Sequence, residues 1–167
     1  MKIDISETVR NVGEIYTEVY DGPLDGFDFM GEHFSFPDGI HVRADYYYDG
    51  KGVVVNGRFS SDVPVLCSRC LKAFVYPVCF EFREYYKEQP KEDDSYPYMA
   101  DIIDLDRMLQ DNVILCLPPK FLCKDDCKGL CGVCGADLNK GGCSCGSEPD
   151  ESNPFFGLSK LHNNEEV

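Results

Sequence analysis

Six cysteines fall within the 23 residues "CKDDCKGLCGVCGADLNKGGCSC", from Cys123 to Cys145, and four more stand at 67, 70, 79 and 116. A stretch so poor in apolar side chains cannot offset its own ordering entropy by hydrophobic burial. Cross-linking through sulfur has to hold it, either as disulfides or as metal thiolates. The N-terminal "MKIDISETVRNVGEIYTEVY" has neither the charged start and apolar run of a secretory signal nor the Arg-rich bias of a transit peptide. The expected compartment is therefore the cytoplasm, where dense cysteine usage points to metal rather than to a disulfide scaffold. No apolar run approaches the roughly 20 residues that span a bilayer, so no membrane contact is expected.

Spacing divides the thiols. Cys67 and Cys70, in "LCSRCL", form a Cys-x2-Cys turn that aims two sulfurs at one ion but makes only half of a tetrahedral site. Cys131 and Cys134 repeat that turn, with Gly132 and Gly135 easing the tight backbone, and Cys143 and Cys145 follow just beyond a Gly-Gly pair. These last four can close a local site. Cys123 and Cys127 are then assigned to complete the site of Cys67 and Cys70, which would pin the segment after the helix to the sheet. The expectation is two structural zinc ions, each with four thiolates. A redox-active or scaffolding disulfide and an iron–sulfur cluster are the competing chemistries, but neither Cys-x2-Cys pair lies in the βαβ context that favours a redox motif. Cys79, in a strand-like run, and Cys116, on a helix face, are read as small buried apolar residues.

Periodicity predicts an α+β fold, mainly antiparallel sheet with one amphipathic helix packed on it and a C-terminal cysteine-rich zinc-knuckle module. "EIYTEVY" alternates as a half-exposed strand, and "DGPLDGFDFMGEHFSFPDG" reads as turns and short extended pieces. Two strands joined at Asp49-Gly50 place Tyr46, Tyr48, Val53 and Val55 as cross-strand partners, with a third short strand near Val63 to Leu66. In "AFVYPVCFEFREYYKE", Pro77 is accommodated best at an edge or bulge. Residues 88–106 carry seven acidic side chains against one lysine, so their first part is expected to be a solvated loop. "DLDRMLQDNVILCLPP" then spaces Leu105, Met108, Leu109, Val113 and Cys116 as one helix face, with Asp104 able to cap it and two prolines ending it. The expected organisation is a sheet-rich core at 1–128, a zinc-binding module at 129–146 and an acidic, partly flexible tail at 147–167. Within that tail "NPFFGLSKL" is a candidate docking segment.

A formal charge of -14 repels phosphates and DNA unless basic groups are concentrated locally, so a basic protein is the better match to the surface. The three histidines form no triad, and no Walker, H-E-x-x-H or G-x-S-x-G pattern occurs. Asp101, Asp104 and Asp106 suit helix entry better than metal catalysis. No residue set compels an enzyme.

The order "VPVLCSRCLKAF", then "IDLDRMLQDNVILCLPPKFLCKDDCKGLCGVCGADLN", then "NPFFGL" resembles the YceD family of large ribosomal RNA subunit accumulation proteins over roughly residues 40 to 160. Cys67, Arg69, Cys70 and Leu71 match the family's shared C-x-R-C-L element, and Cys131, Cys134, Cys143 and Cys145 match its longer form. Some relatives place histidines where Cys123 and Cys127 fall, which fits the long-range pairing because imidazole and thiolate exchange as zinc ligands. The resemblance implies a role in the synthesis, processing or stability of large-subunit ribosomal RNA. Two mechanisms stay open: contact with a ribosomal protein or assembly factor, with Arg69, Lys124 and Lys128 facing the partner, or direct contact with precursor RNA. A zinc-dependent RNA-processing enzyme is the third and least suited reading, since four-cysteine coordination leaves no open position.

Overall fold

The computed structural model describes residues 1–90 and 95–145, so the expected tail at 147–167 and "NPFFGLSKL" lie outside the described residues. The chain divides into two compact units, one spanning Met1–Asp125 and one that begins at Asp126. In the first unit the elements run β1 (Lys2–Asp4), α1 (Ser6–Arg10), β2 (Tyr16–Gly22), β3 (Phe27–Phe29), β4 (Glu32–Phe34), β5 (Ile40–Tyr48), β6 (Val53–Leu66), β7 (Ala73–Lys87), β8 (Tyr96–Pro97), β9 (Ile102–Asp104) and α2 (Asp106–Cys116). The main sheet has the order β2-β5-β6-β7-β8. All its pairings are antiparallel except the two-residue β7–β8 contact. The class is α+β, as the periodicity predicts.

Alternation sets the register. Tyr46 faces Val55 and Tyr48 faces Val53, the expected cross-strand pairs. Their connection is a four-residue turn rather than a two-residue one: the Asp49 N–H donates to the Gly52 carbonyl at 3.0 Å, and the Asp49 carboxylate accepts the Lys51 and Gly52 N–H groups at 2.8 and 2.9 Å. The third short strand expected near Val63 to Leu66 does not stand apart, because β6 runs unbroken for 14 residues against β7. Pro64 is tolerated within β6 because β5 pairs with β6 only as far as Ser60, which leaves that edge open beyond. Pro77 has the same freedom on β7, where β8 reaches only Tyr86 and Lys87.

One sheet face carries the core. Ile40, Val42, Ala44, Val53, Val55, Phe59 and Val63 are buried on it, and the rings of Phe59 and Phe80 stack at 4.7 Å. Met108, Leu109 and Val113 of α2 are buried in the same core together with Leu105, which rather than the expected Asp104 stands at the N-cap; the Asp104 carboxylate, one residue earlier, accepts the Asp106 N–H at 3.0 Å. Each such side chain contributes about 1.5–3 kcal/mol of gross burial free energy.

The structure corrects three further expectations. A second helix, α1, exists; at five residues it is too short to show a period, and the Asp4 carboxylate holds its start by accepting the Ser6 N–H at 2.9 Å. Cys79 and Cys116 are both exposed, not buried. Cys79 alternates with buried Val78 and so points to the open sheet face, whereas Cys116 is the last residue of α2, beyond the buried stripe. No helix among the described residues is long and apolar enough to cross a membrane.

Substituting Leu109→Ala is expected to cost about 2–5 kcal/mol, read as a lower urea midpoint with unchanged slope. Cys79→Ser on the exposed face is expected to shift stability by less than about 0.5 kcal/mol.

Candidate metal centres

The turn between β6 and β7 is built from "CSRCLK". Within it the Leu71 N–H donates to the Cys67 carbonyl and the Cys67 N–H to the Lys72 carbonyl, both at 2.9 Å. The second unit repeats the pattern with different residues: the Gly135 N–H donates to the Cys131 carbonyl at 2.9 Å, and the Cys131 N–H to the Ala136 carbonyl at 2.8 Å. Two separate Cys-x2-Cys segments thus adopt one knuckle. Its fifth position takes left-handed backbone, φ 71° at Gly135 and φ 58° at Leu71. Glycine adopts that conformation freely, whereas leucine does so at about 1–2 kcal/mol.

The segment after α2 is tied to the first knuckle by its backbone. Ser68 and Phe121 exchange hydrogen bonds: the Ser68 N–H donates to the Phe121 carbonyl at 2.7 Å, and the Phe121 N–H to the Ser68 hydroxyl at 3.1 Å. The Phe121 ring is buried against Phe34 and Tyr76. Two residues on, the Cys123 sulfur lies 3.7 Å from that of Cys70. That is too long for a disulfide and close to the edge, about 3.8 Å, of a tetrahedron with metal–sulfur bonds of about 2.3 Å. Phe121 was not picked out from the sequence; its signal was the apolar pair Phe121 and Leu122 between the two prolines and the first cysteine of the cluster.

The sulfurs assemble into two quartets, Cys67, Cys70, Cys123 and Cys127, and Cys131, Cys134, Cys143 and Cys145. Within each, all sulfurs lie within 4.8 Å of one another, an arrangement that could hold a metal ion. These are the two sets that spacing predicts. The other two cysteines, Cys79 and Cys116, belong to neither. Of the residues expected to face a partner, Arg69 and Lys124 lie next to ligand positions of the first quartet and Lys128 follows Cys127; all three are exposed.

Each quartet is polarised before any ion enters. Backbone N–H groups of Cys123, Cys70 and Arg69 point at the Cys67 sulfur and hold its pKa down to about 6 against the opposing effect of burial. The Cys134 and Val133 N–H groups, then the neighbouring thiols of Cys143 and Cys134, bring Cys131 down to about 6 as well. In the second quartet the proton is displaced onto the partners. The hydrogen bond with Cys131 raises Cys143, and the one with Cys134 raises Cys145 to about 11. Each quartet therefore holds one ready thiolate, and in the second Cys143 and Cys145 keep protons that a cation would displace, which is the behaviour of a thiolate metal site.

Asn139 was also not picked out from the sequence. Its side-chain amide donates to the Cys127 sulfur at 3.5 Å, its carbonyl oxygen accepts the Lys128 N–H at 2.9 Å, and the Asp137 carboxylate fixes it at 2.9 Å. Such supporting hydrogen bonds orient ligands and tune them.

A small α+β protein with an open, mostly antiparallel five-stranded sheet and two four-cysteine groups that could hold metal is the class that fold and site define. The chain belongs to the YceD family: the sequence model described as large ribosomal RNA subunit accumulation protein YceD matches residues 55–162, which take in both quartets. An uncharacterised protein of Mycobacterium tuberculosis strain H37Rv is 27% identical over 147 residues, 83% of this chain and 70% of its own length, and one of Mycobacterium bovis matches to the same extent. The chloroplastic large ribosomal RNA subunit accumulation protein YCED homolog 1 of Arabidopsis thaliana is 26% identical over 149 residues, 68% of this chain and 46% of its own length. No solved structure matches the chain.

Two outcomes are expected. A group held at about 6 against an unfolded thiol near 8.5 contributes stability that is complete above about pH 8.5 and is lost as pH falls through about 6. Because protons compete with metal for these thiolates, bound metal followed with a chromogenic chelator is expected to be retained at neutral pH and released on acidification. Asn139→Ala is expected to weaken retention by the first quartet by about 10- to 100-fold in chelator competition.

Proposed function

We propose that this chain is a non-catalytic factor that supports the synthesis, processing or stability of large-subunit ribosomal RNA, acting in the cytoplasm through a ribosomal protein or assembly factor. Its two quartets hold structural zinc. The family match over residues 55–162 carries the ribosomal reading. The zinc reading draws on donor chemistry: four sulfurs within 4.8 Å of one another suit zinc, and four thiolates complete its shell, so no open position is left for a reactive water. Where zinc catalyses, it keeps such a position open.

The partner reading rests on charge. At -14 the chain attracts basic proteins over a distance and speeds their encounter. Around the first knuckle, exposed Arg69 and Lys124, with Lys128 in the next stretch, supply basic contacts that fix orientation once the partner arrives.

Purified protein is expected to carry two zinc atoms per chain, and Cys70→Ser and Cys134→Ser each to lose one. Crosslinking in growing cells, followed by ribonuclease treatment, is expected to leave a ribosomal protein or assembly factor attached. Arg69→Ala is expected to lose that adduct at unchanged zinc content and melting temperature. Failure to enrich any such protein above an unrelated acidic control would overturn the partner reading.

A further inference from the structure

Among the described residues the face of the main sheet that turns away from the core is open, and where β5, β6 and β7 lie side by side it sets three arginines against Asp45 and Glu81, a local positive excess in an acidic chain. In the register of β5, β6 and β7, Arg43 stands directly opposite Arg58, Arg58 opposite Glu81, and Arg83 opposite Asn56. All three arginines are exposed, although the chain carries 30 acidic against 16 basic residues. Like charges opposed across strands are destabilising. Glu81 forms an ion pair with Arg58, and Asp45 is engaged by the Thr17 hydroxyl, but Arg43 and Arg83 have no ion pair among the described residues. The arginines rim a shallow depression of ≈ 470 Å³.

Next in register, the same face carries Tyr47 and Tyr85 on either side of Val54, with the Lys87 ammonium 5.1 Å from the centre of the Tyr85 ring. Both rings are half-buried, so they are fixed in place yet reachable. Arginine forks match phosphate oxygens, and flat aromatic faces beside them stack unpaired bases whatever their sequence. A carboxylate-rich peptide would use the arginines but not the rings.

We propose that this face binds single-stranded RNA, with Arg43, Arg58 and Arg83 on the phosphates and Tyr47 and Tyr85 against the bases. The inference goes beyond the protein contact proposed above. It rests on the ribosomal setting of that reading but not on the metal centres or the protein partner. The chain as a whole repels RNA, so binding comes from this patch and is steeply weakened by salt.

The test is fluorescence anisotropy of the zinc-loaded full chain with a labelled oligouridylate of about 12 nucleotides across a salt series. Three phosphate contacts predict a slope of log affinity on log salt of about −2, from about −0.7 per contact on a single strand. The double variant Arg43→Ala/Arg83→Ala is expected to bind at least about tenfold more weakly and to flatten the slope by about 1.4. Arg43→Lys/Arg83→Lys is expected to keep the slope, and Tyr47→Ala to weaken binding without changing it. Metal content of each variant reports its folding. Absence of binding at the lowest salt, or unchanged affinity in the double alanine variant, would overturn the proposal. So would displacement of RNA by an equal concentration of polyglutamate, which would point to an acidic protein. None of these outcomes alters the proteins captured by crosslinking, so the two readings fail separately.

Discussion

Sulfurs held within 4.8 Å of one another cannot all be thiolates unless a cation lies among them, since mutual repulsion keeps protons on some of them. In each quartet backbone N–H groups already favour one thiolate, and in the second Cys143 and Cys145 are pushed toward their protonated forms. The order of the post-helix stretch follows from this, because residues such as "CKGLCGVCGADLNKGGCSC" offer little else to bury. Structural zinc supplies on the order of 10 kcal/mol in small modules, enough to order a segment of this kind.

The sheet supplies a rigid base for one of the two knuckles. β6 and β7 form a ladder from Val53↔Tyr86 to Leu66↔Ala73, and the first knuckle is the turn at its far end. The phenylalanines on the inner face and the Ser68–Phe121 exchange bring Cys123 to that turn. The positions of Cys67, Cys70 and Cys123 are thus supported by packing and backbone bonding independent of the metal, as a well-formed metal site requires. Comparison of the knuckles isolates one expense. Gly135 meets the left-handed position without strain, whereas Leu71 meets it with a side chain that is 64% exposed and adds nothing to the core.

What could be read from the sequence depended on range. Alternation in "HVRADYYY" and "VVVNGRF" carried the register of β5 and β6, and the stripe from Leu105 to Val113 carried α2, because both signals repeat within a few residues. The quartets were legible for a different reason: zinc needs four donors, and Cys-x2-Cys spacing leaves few ways to divide eight thiols. β1 and β9 were not legible, being three residues each and paired from Lys2 to Asp104 across most of the unit. Phe121 and Asn139 escaped because each acts through a single contact that only the folded chain creates. Cys116 was misplaced because periodicity does not show where the core ends.

The family match joins this architecture to large-subunit ribosomal RNA, and its span from 55 to 162 begins inside β6, so β2 and β5 lie outside it. The central claim is that both quartets are closed tetrathiolate zinc centres. X-ray absorption at the zinc edge on the purified chain tests it most directly. The account predicts a single shell of four sulfurs per zinc at about 2.3 Å with no oxygen or nitrogen. A shell containing light atoms, or one averaging fewer than four sulfurs in a protein that keeps its fold, would contradict it.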